Sequence, residues 1–236
     1  MGNEQQSKKI SEHIFEIRYK PNPEFLDYRG IYVKGVSNLL GLTHWKIDEN
    51  RVDLSDEMSN IKAFVSFRNF GISINESCDK NYFPNQANKL VRYLLTQKPF
   101  TNPIFITRIG VRTRVAYSFE IGFEKLLETY TNKIFTLTDE VRQILDNKIV
   151  DVSLPIFFKT EKGQLNTQSS PMTGDQLRDY FPNRVDLPDV AMYFDLDYWK
   201  EPNQDLRIDT ITSLIKDYSI ESWNIIEQIA VLLGGQ

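Results

Sequence analysis

Arg108, Arg112 and Arg114 are the residues whose types and spacing most clearly suggest chemistry. They lie in the stretch RIGVRTRV, and on an extended strand the spacing i, i+4, i+6 places their side chains on one face. A planar guanidinium group can donate two hydrogen bonds to one phosphate or carboxylate group. The pattern therefore indicates either an anion-binding strand or a set of internal ion pairs.

A second stretch, FDLDYW, supplies acidic counterparts to these arginines. Strand alternation places Asp195, Asp197 and Trp199 on one face, with apolar residues on the other. If the two strands are neighbours, an ion-pair network results, and we favour this interpretation because charges in a sheet are retained by pairing. One arginine would be left over, so the alternative stays open that all six side chains line a site for a small anionic ligand or nucleotide.

Metal-dependent chemistry is a further alternative for the aspartate pair, since nucleases place carboxylates on neighbouring strands. No Asp–Glu–Lys spacing accompanies Asp195 and Asp197, and two histidines with one cysteine nearly exclude a zinc site. The sequence also has no phosphate-binding glycine loop and no nucleophile elbow. We therefore predict no metal, no cofactor and no catalytic residue.

Composition bounds the class of protein. The chain has 236 residues, 41% of them hydrophobic and 25% charged, which is typical of a soluble globular protein. A net charge of −4 argues against bulk binding of polyanions, but a local basic patch leaves nucleic acid open as a partner. A single cysteine, Cys78, excludes an intramolecular disulfide. We find neither a signal-peptide pattern nor a membrane-length apolar run, and predict a cytoplasmic protein.

The elements that must position these residues follow from periodicity. Alternation predicts an early strand in HIFEIRY, a strand meander over 44–76, and strands in IVDVSLPIFFK, QLNTQSS and DVAMYFDLDYW. The arginines fall on a strand predicted over 104–119. Helices are predicted over 85–97, 123–131, 139–147 and 208–233, and a surface loop with one helical turn over 171–188. The segment 24–40 fits either a strand or a helix.

This order, with helices grouped between runs of antiparallel strands, predicts an α+β fold. We expect two similar halves, 1–119 and 120–236, packed as one unit. Each half would be an antiparallel sheet backed by helices, and the second would end in the long amphipathic helix.

The strands HIFEIRYKP, ITRIGVRTRV and FDLDYWKEP, with the long final helix, resemble a sporadically distributed bacterial family of uncharacterised α+β proteins. Its central strand runs Arg-Ile-Gly-Leu-Arg-Tyr-Ile-Asn-Arg. Arg108, Ile109, Gly110 and Arg112 match this pattern, whereas the next two positions depart from it. The resemblance implies a cytoplasmic α+β protein with no established catalytic residues or cofactor. It also implies an accessory role such as phage defence.

Together these observations predict a non-enzymatic binding or adaptor protein that acts through protein–protein contacts. The partner would be another protein, or a second copy docking through the C-terminal helix, and a membrane is not expected. The alternatives are a small-ligand or nucleotide sensor using the arginine face, and a metal-dependent nucleic-acid-processing enzyme.

Overall fold

A computed structural model describes residues 9–58, 60–76, 79–101, 104–135, 138–145, 148–202 and 207–235. Cys78 lies outside the described residues. The elements in chain order are β1 (Lys9–Tyr19), α1 (Phe25–Leu40), β2 (His44–Ile47), β3 (Arg51–Ser55), β4 (Ile61–Ser66), β5 (Asn69–Asn75), α2 (Tyr82–Leu94), β6 (Ile106–Ser118), α3 (Phe123–Lys133), α4 (Asp139–Leu145), β7 (Leu154–Thr160), β8 (Gly163–Thr173), α5 (Gly174–Leu177), β9 (Val190–Lys200) and α6 (Ile208–Leu233).

All nine strands form one antiparallel sheet in the order β2-β3-β4-β5-β1-β6-β9-β8-β7. Within 1–119, β1 pairs with the last meander strand, β5, on one side and with β6 on the other. The halves 1–119 and 120–236 join where β6 pairs with β9, so the two expected sheets are one continuous sheet. The predicted α+β class is confirmed, whereas the domain boundary near residue 119 stays a prediction.

The hydrophobic core lies between one face of this sheet and the helices α1, α2, α3 and α6. Alternate residues of the central strands supply it, including Phe15, Ile17, Val111 and Leu196, all buried. Removing such side chains from water is the main stabilising contribution to the fold. The residues that alternate with them along the same strands point away from the helices.

A smaller core lies on that other face, at one end of the sheet. There α5 and the segment that follows it cover Ala116 and Tyr193 with Leu177 and Phe181. Residues 171–173 belong to β8, so the predicted surface loop begins later than expected, and its single helical turn is confirmed as α5. The rest of this face is described below as the polar face.

The undecided segment 24–40 forms the helix α1. Phe25, Tyr32, Val33 and Val36 are its buried residues, and this spacing fits one helical stripe facing the sheet. The β-branched residues in IYVKGV favoured a strand locally, but burial of this stripe outweighs that preference. Within the strand meander predicted over 44–76, HWKIDENRVDL forms the hairpin of β2 and β3.

The C-terminal helix is confirmed with the bounds predicted for it. It ends at Leu233, where Gly234 adopts the left-handed conformation with φ +95° and donates its N–H to the carbonyls of Ala230 and Val231. Glycine adopts this conformation without the steric cost that a Cβ imposes. None of the helices in the described residues is long and apolar enough to cross a membrane.

Candidate functional site

The polar face is the side of the sheet opposite the four core helices, and strand register determines which residues share it. Its basic residues are Arg18, Lys46, Arg51, Lys62, Arg108, Arg112, Arg114 and Lys159, and its acidic residues are Glu12, Glu16, Asp53, Asp195 and Asp197. Eight positive charges against five negative charges leave an excess of three positive charges. The whole chain, by contrast, has a net charge of −4.

The best-formed ion pair on this face joins Arg112 to Asp195. Arg112 Nε donates to Asp195 Oδ1 at 2.7 Å, and its Nη2 donates to the other carboxylate oxygen. The buried Asp195 also accepts a hydrogen bond from the hydroxyl of Tyr193 at 3.2 Å. The hydrogen bonds that Arg112 donates to Asp195 raise the pKa of Arg112. This bidentate geometry is the strong form of the pair.

The other two arginines of the stripe also have carboxylate partners. Arg108 Nη2 donates to Asp197 Oδ2 at 2.7 Å. Arg114 Nη1 donates to Glu12 Oε2 at 3.1 Å, and its Nε lies 3.7 Å from Asp195 Oδ2. Glu12, on β1, therefore takes the arginine that the two aspartates leave over.

The structure thus brings all six predicted residues together, with Arg112 opposite Asp197, Arg114 opposite Asp195, and Gly110 opposite Trp199. The predicted ion-pair network is confirmed. Ligand binding by these six residues stays a prediction, and an anionic ligand at Arg112 or Arg114 would have to compete with carboxylates already in contact.

Trp199 lies beside the network and not within it. The guanidinium carbon of Arg108 is 5.2 Å from the centre of the Trp199 ring, a cation–π contact. The indole Nε1 is buried, and no residue in the described part of the chain accepts its hydrogen bond.

Two charged residues of β1 extend the network toward the first half. Arg18 Nη2 donates to Glu16 Oε2 at 2.9 Å, and Asn69 Nδ2 donates to Glu16 Oε1 at 2.6 Å. Burial alone would raise the pKa of Glu16, but these two hydrogen bonds outweigh it and lower the pKa. Arg18 stands directly opposite Arg108 on β6. Like charges in that position repel each other, and their carboxylate partners offset the repulsion.

Metal ligation has no support from the described residues. Nowhere among them do three or more histidine, cysteine, aspartate or glutamate side chains group in a way that could hold a metal ion. Asp195 and Asp197 are both occupied by arginines. What the arrangement offers chemically is recognition by charge, hydrogen bonding and ring stacking.

A second candidate site is the outer strand β7, at the end of the sheet order. Its residues Ile156, Phe157 and Phe158 are all exposed, Phe157 by 75%. Register places Phe157 on the polar face, opposite Asn166, and the other two on the helix side. An outer strand also presents unpaired backbone N–H and C=O groups along its free side.

The opposite edge, β2, is shorter and more polar. It has four residues, of which Trp45 and Ile47 are exposed apolar side chains alternating with His44 and Lys46. Short, charged outer strands are a common protection against unwanted pairing. The exposed side of α6 is mostly polar, so we do not place the docking surface there; its exposed residues are Asp209, Thr210, Ser213, Lys216, Asn224, Gln228, Val231 and Leu232.

Sequence reasoning missed Glu12 and the β7 edge. The alternation in β1 could have placed Glu12 on the face of Glu16 and Arg18, but only the β1–β6 pairing brings it to Arg114. The run of three apolar residues in PIFF fitted a buried strand equally well, because position at the sheet edge is not encoded locally.

Comparisons with known proteins identify no family for this chain. Neither a family model nor a curated protein matches the chain. Among solved structures, the chain is similar to the immunity protein TplEi of T6SS from Pseudomonas aeruginosa, complexed with "L" peptide, at 11% identity and a TM-score of 0.20, with 90% of each chain covered. A likeness at this TM-score carries no argument about this chain.

Proposed function

We propose that this protein is a polypeptide-binding protein that receives an extended segment of a partner along β7. The observation that carries the proposal is the exposure of three consecutive apolar side chains, Ile156, Phe157 and Phe158, on an outer strand. An extended polypeptide is the ligand whose chemistry matches this edge. It pairs with the free backbone groups and places alternate side chains against the two faces of the strand.

Pro155 limits where the partner can pair. Proline has no N–H, so hydrogen bonding is confined to the stretch after it, Ile156 to Thr160. Phe157 would contact the partner's side chains on the polar face, and Ile156 and Phe158 those on the helix side. The partner segment should therefore be about five residues long and alternate apolar side chains on both faces.

The accessory, phage-defence role and the cytoplasmic location implied by the family resemblance remain part of this proposal, as predictions. Testing the role requires the partner to be identified, and we expect the partner to contact the β7 edge.

The test selects extended peptides from a displayed library on the wild-type protein and measures their affinity for two matched variants. The first replaces Phe157 and Phe158 by lysine. The second makes the same two changes at Trp45 and Ile47 on the opposite edge. Burial of a phenylalanine contributes roughly 1.5 kcal/mol or more, so loss of both should weaken binding by more than tenfold.

Binding that is lost in the β7 variant and kept in the β2 variant supports the proposal. Hydrogen exchange should then show slower exchange of the β7 amides in the complex. If selected peptides bind both variants equally, or only the β2 variant fails, β7 is not the docking edge.

A further inference from the structure

The polar face carries a second feature that peptide binding at β7 does not use, an excess of positive charge with two exposed cations. Lys62 on β4 and Lys159 on β7 are exposed, and within the described residues neither has a carboxylate at ion-pair distance. The third excess cation, Lys46, is paired with Asp48 in the adjacent turn. The face is therefore complementary to a polyanion, although the protein as a whole is acidic.

The same face holds two ring–guanidinium pairs. The guanidinium carbon of Arg51 is 4.1 Å from the centre of the Phe64 ring, and that of Arg108 is 5.2 Å from the centre of the Trp199 ring. Both rings are half-buried, so each presents part of its surface to solvent. The exposed part of each ring is a surface on which a nucleobase can stack. Arg51 and Arg108 are themselves paired with Asp53 and Asp197. The phosphates would therefore be neutralised by Lys62 and Lys159, which have no carboxylate partner among the described residues.

Gly71 makes room for the Phe64 ring. Phe64 lies opposite Gly71 on β5, and Trp199 lies opposite Gly110 on β6. A Cβ at Gly71 would come within 2.9 Å of the Phe64 ring, and one at Gly110 within 3.5 Å of Trp199 Cβ. The Phe64 ring therefore lies over β5 at Gly71, whereas at Gly110 the contact is with the Trp199 Cβ and not with its ring.

The two pairs lie in one row across the strands, which determines the shape of the ligand. From β4 to β9 the row crosses four strand spacings, or roughly 19 Å at about 4.8 Å each. Between the rings the row passes Glu16, whose carboxylate is paired with Arg18 and accepts a hydrogen bond from Asn69. Charges and rings spread along a line fit an extended polyanion with flat groups better than a compact single anion.

We propose that the polar face binds single-stranded nucleic acid, laid across the strands between Phe64 and Trp199. Sheet faces that combine basic groups with ring platforms are suited to this ligand, because every base has a stacking face and every linkage a negative charge. The contact is sequence-tolerant and depends on salt. Apart from Lys159, the groups that form it lie away from β7, so it is tested separately from peptide binding.

The experiment measures fluorescence anisotropy of a labelled twelve-nucleotide oligothymidylate titrated with the full chain at 50 and 200 mM KCl. With Lys62 and Lys159 supplying the cations, about two phosphates are neutralised, so the slope of log affinity against log salt is about −1.4 and binding weakens roughly sevenfold between these concentrations. Replacing Lys62 and Lys159 by glutamine should reduce the slope magnitude by about 1.4.

The matched control replaces Lys89 and Arg92 by glutamine, because both lie exposed on α2, on the helix side of the sheet. It removes the same charge and should leave affinity and slope unchanged. Lys62→Glu alone is a second test variant. Because its side chain is exposed, a loss of binding in this variant would not be explained by a loss of folding. Circular dichroism checks that every variant is folded.

The proposal would be overturned by no anisotropy change at 50 mM KCl, by an equal loss in the α2 control, or by displacement of the oligonucleotide by polyglutamate at equal charge concentration. The last would mean that the face attracts any polyanion. Tighter binding of a duplex of the same length would likewise contradict the stacking geometry.

Discussion

Acidification should destabilise this protein through His13 on β1. The imidazole is 1% exposed and lies between Phe83 of α2 and Trp223 of α6, with ring centres 5.2 and 5.3 Å away. Its Nδ1 is 3.3 Å from the hydroxyl of Thr113, and its Nε2 has no hydrogen-bond partner among the described residues. None of these three neighbours carries a charge that would stabilise an imidazolium. Burial lowers the pKa of His13 from 6.5 to about 4.

The sign and size of the change in the free energy of unfolding follow from the linkage between protonation and folding. Above pH 6.5 the imidazole is neutral in both states, and it has no effect on the pH dependence. Between pH 6.5 and 4 the unfolded chain binds a proton that the folded chain does not, so stability falls as the pH falls. A difference of 2.5 pKa units corresponds to about 3 kcal/mol in full, of which about 2 kcal/mol is lost by pH 5.

The assay is urea unfolding at pH 7 and pH 5 of wild type, His13→Gln and His44→Gln. Wild type should lose about 2 kcal/mol more than His13→Gln between the two pH values, because glutamine does not titrate. His44 is the second of the two histidines and is exposed on β2, so its variant should behave as wild type. Parallel losses in wild type and His13→Gln would refute the reasoning.

Three further outcomes are expected from urea unfolding at pH 7. Arg112→Ala should lower the free energy of unfolding by about 3 kcal/mol, because the buried Asp195 loses its bidentate partner; a loss below about 1 kcal/mol would mean that the pair is effectively exposed. Gly71→Ala should destabilise by about 3 kcal/mol, because its Cβ would lie 2.2 Å from the carbonyl oxygen of Phe15. Gly30→Ala, within α1 and with nothing within 4 Å of the new Cβ, should stabilise by about 0.5 to 1 kcal/mol, and unchanged stability would contradict the helix-propensity argument.

How much of the site could be predicted from the sequence depended on how far apart along the chain the interacting residues are. Alternation along one strand placed Arg108, Arg112 and Arg114 on one face, and Asp195 and Asp197 on another, without any knowledge of tertiary structure. That the two strands are neighbours was a hypothesis, since the pairing joins residues more than 80 positions apart. The third partner, Glu12, comes from a third strand and could not be assigned before the sheet order was known.

Local periodicity by itself determined the helix Ile208–Leu233, the strand Val190–Lys200 and the α+β class, because each depends on a regular pattern within one stretch of chain. Tertiary structure alone decided that 25–40 is a helix, that β6 and β9 join the halves in one sheet, and that β7 lies outermost with Phe157 exposed. The physical reason is the same in each case. Burial and strand neighbours are properties of the assembled sheet, and a local sequence that suits two environments acquires one only when the rest of the chain packs around it.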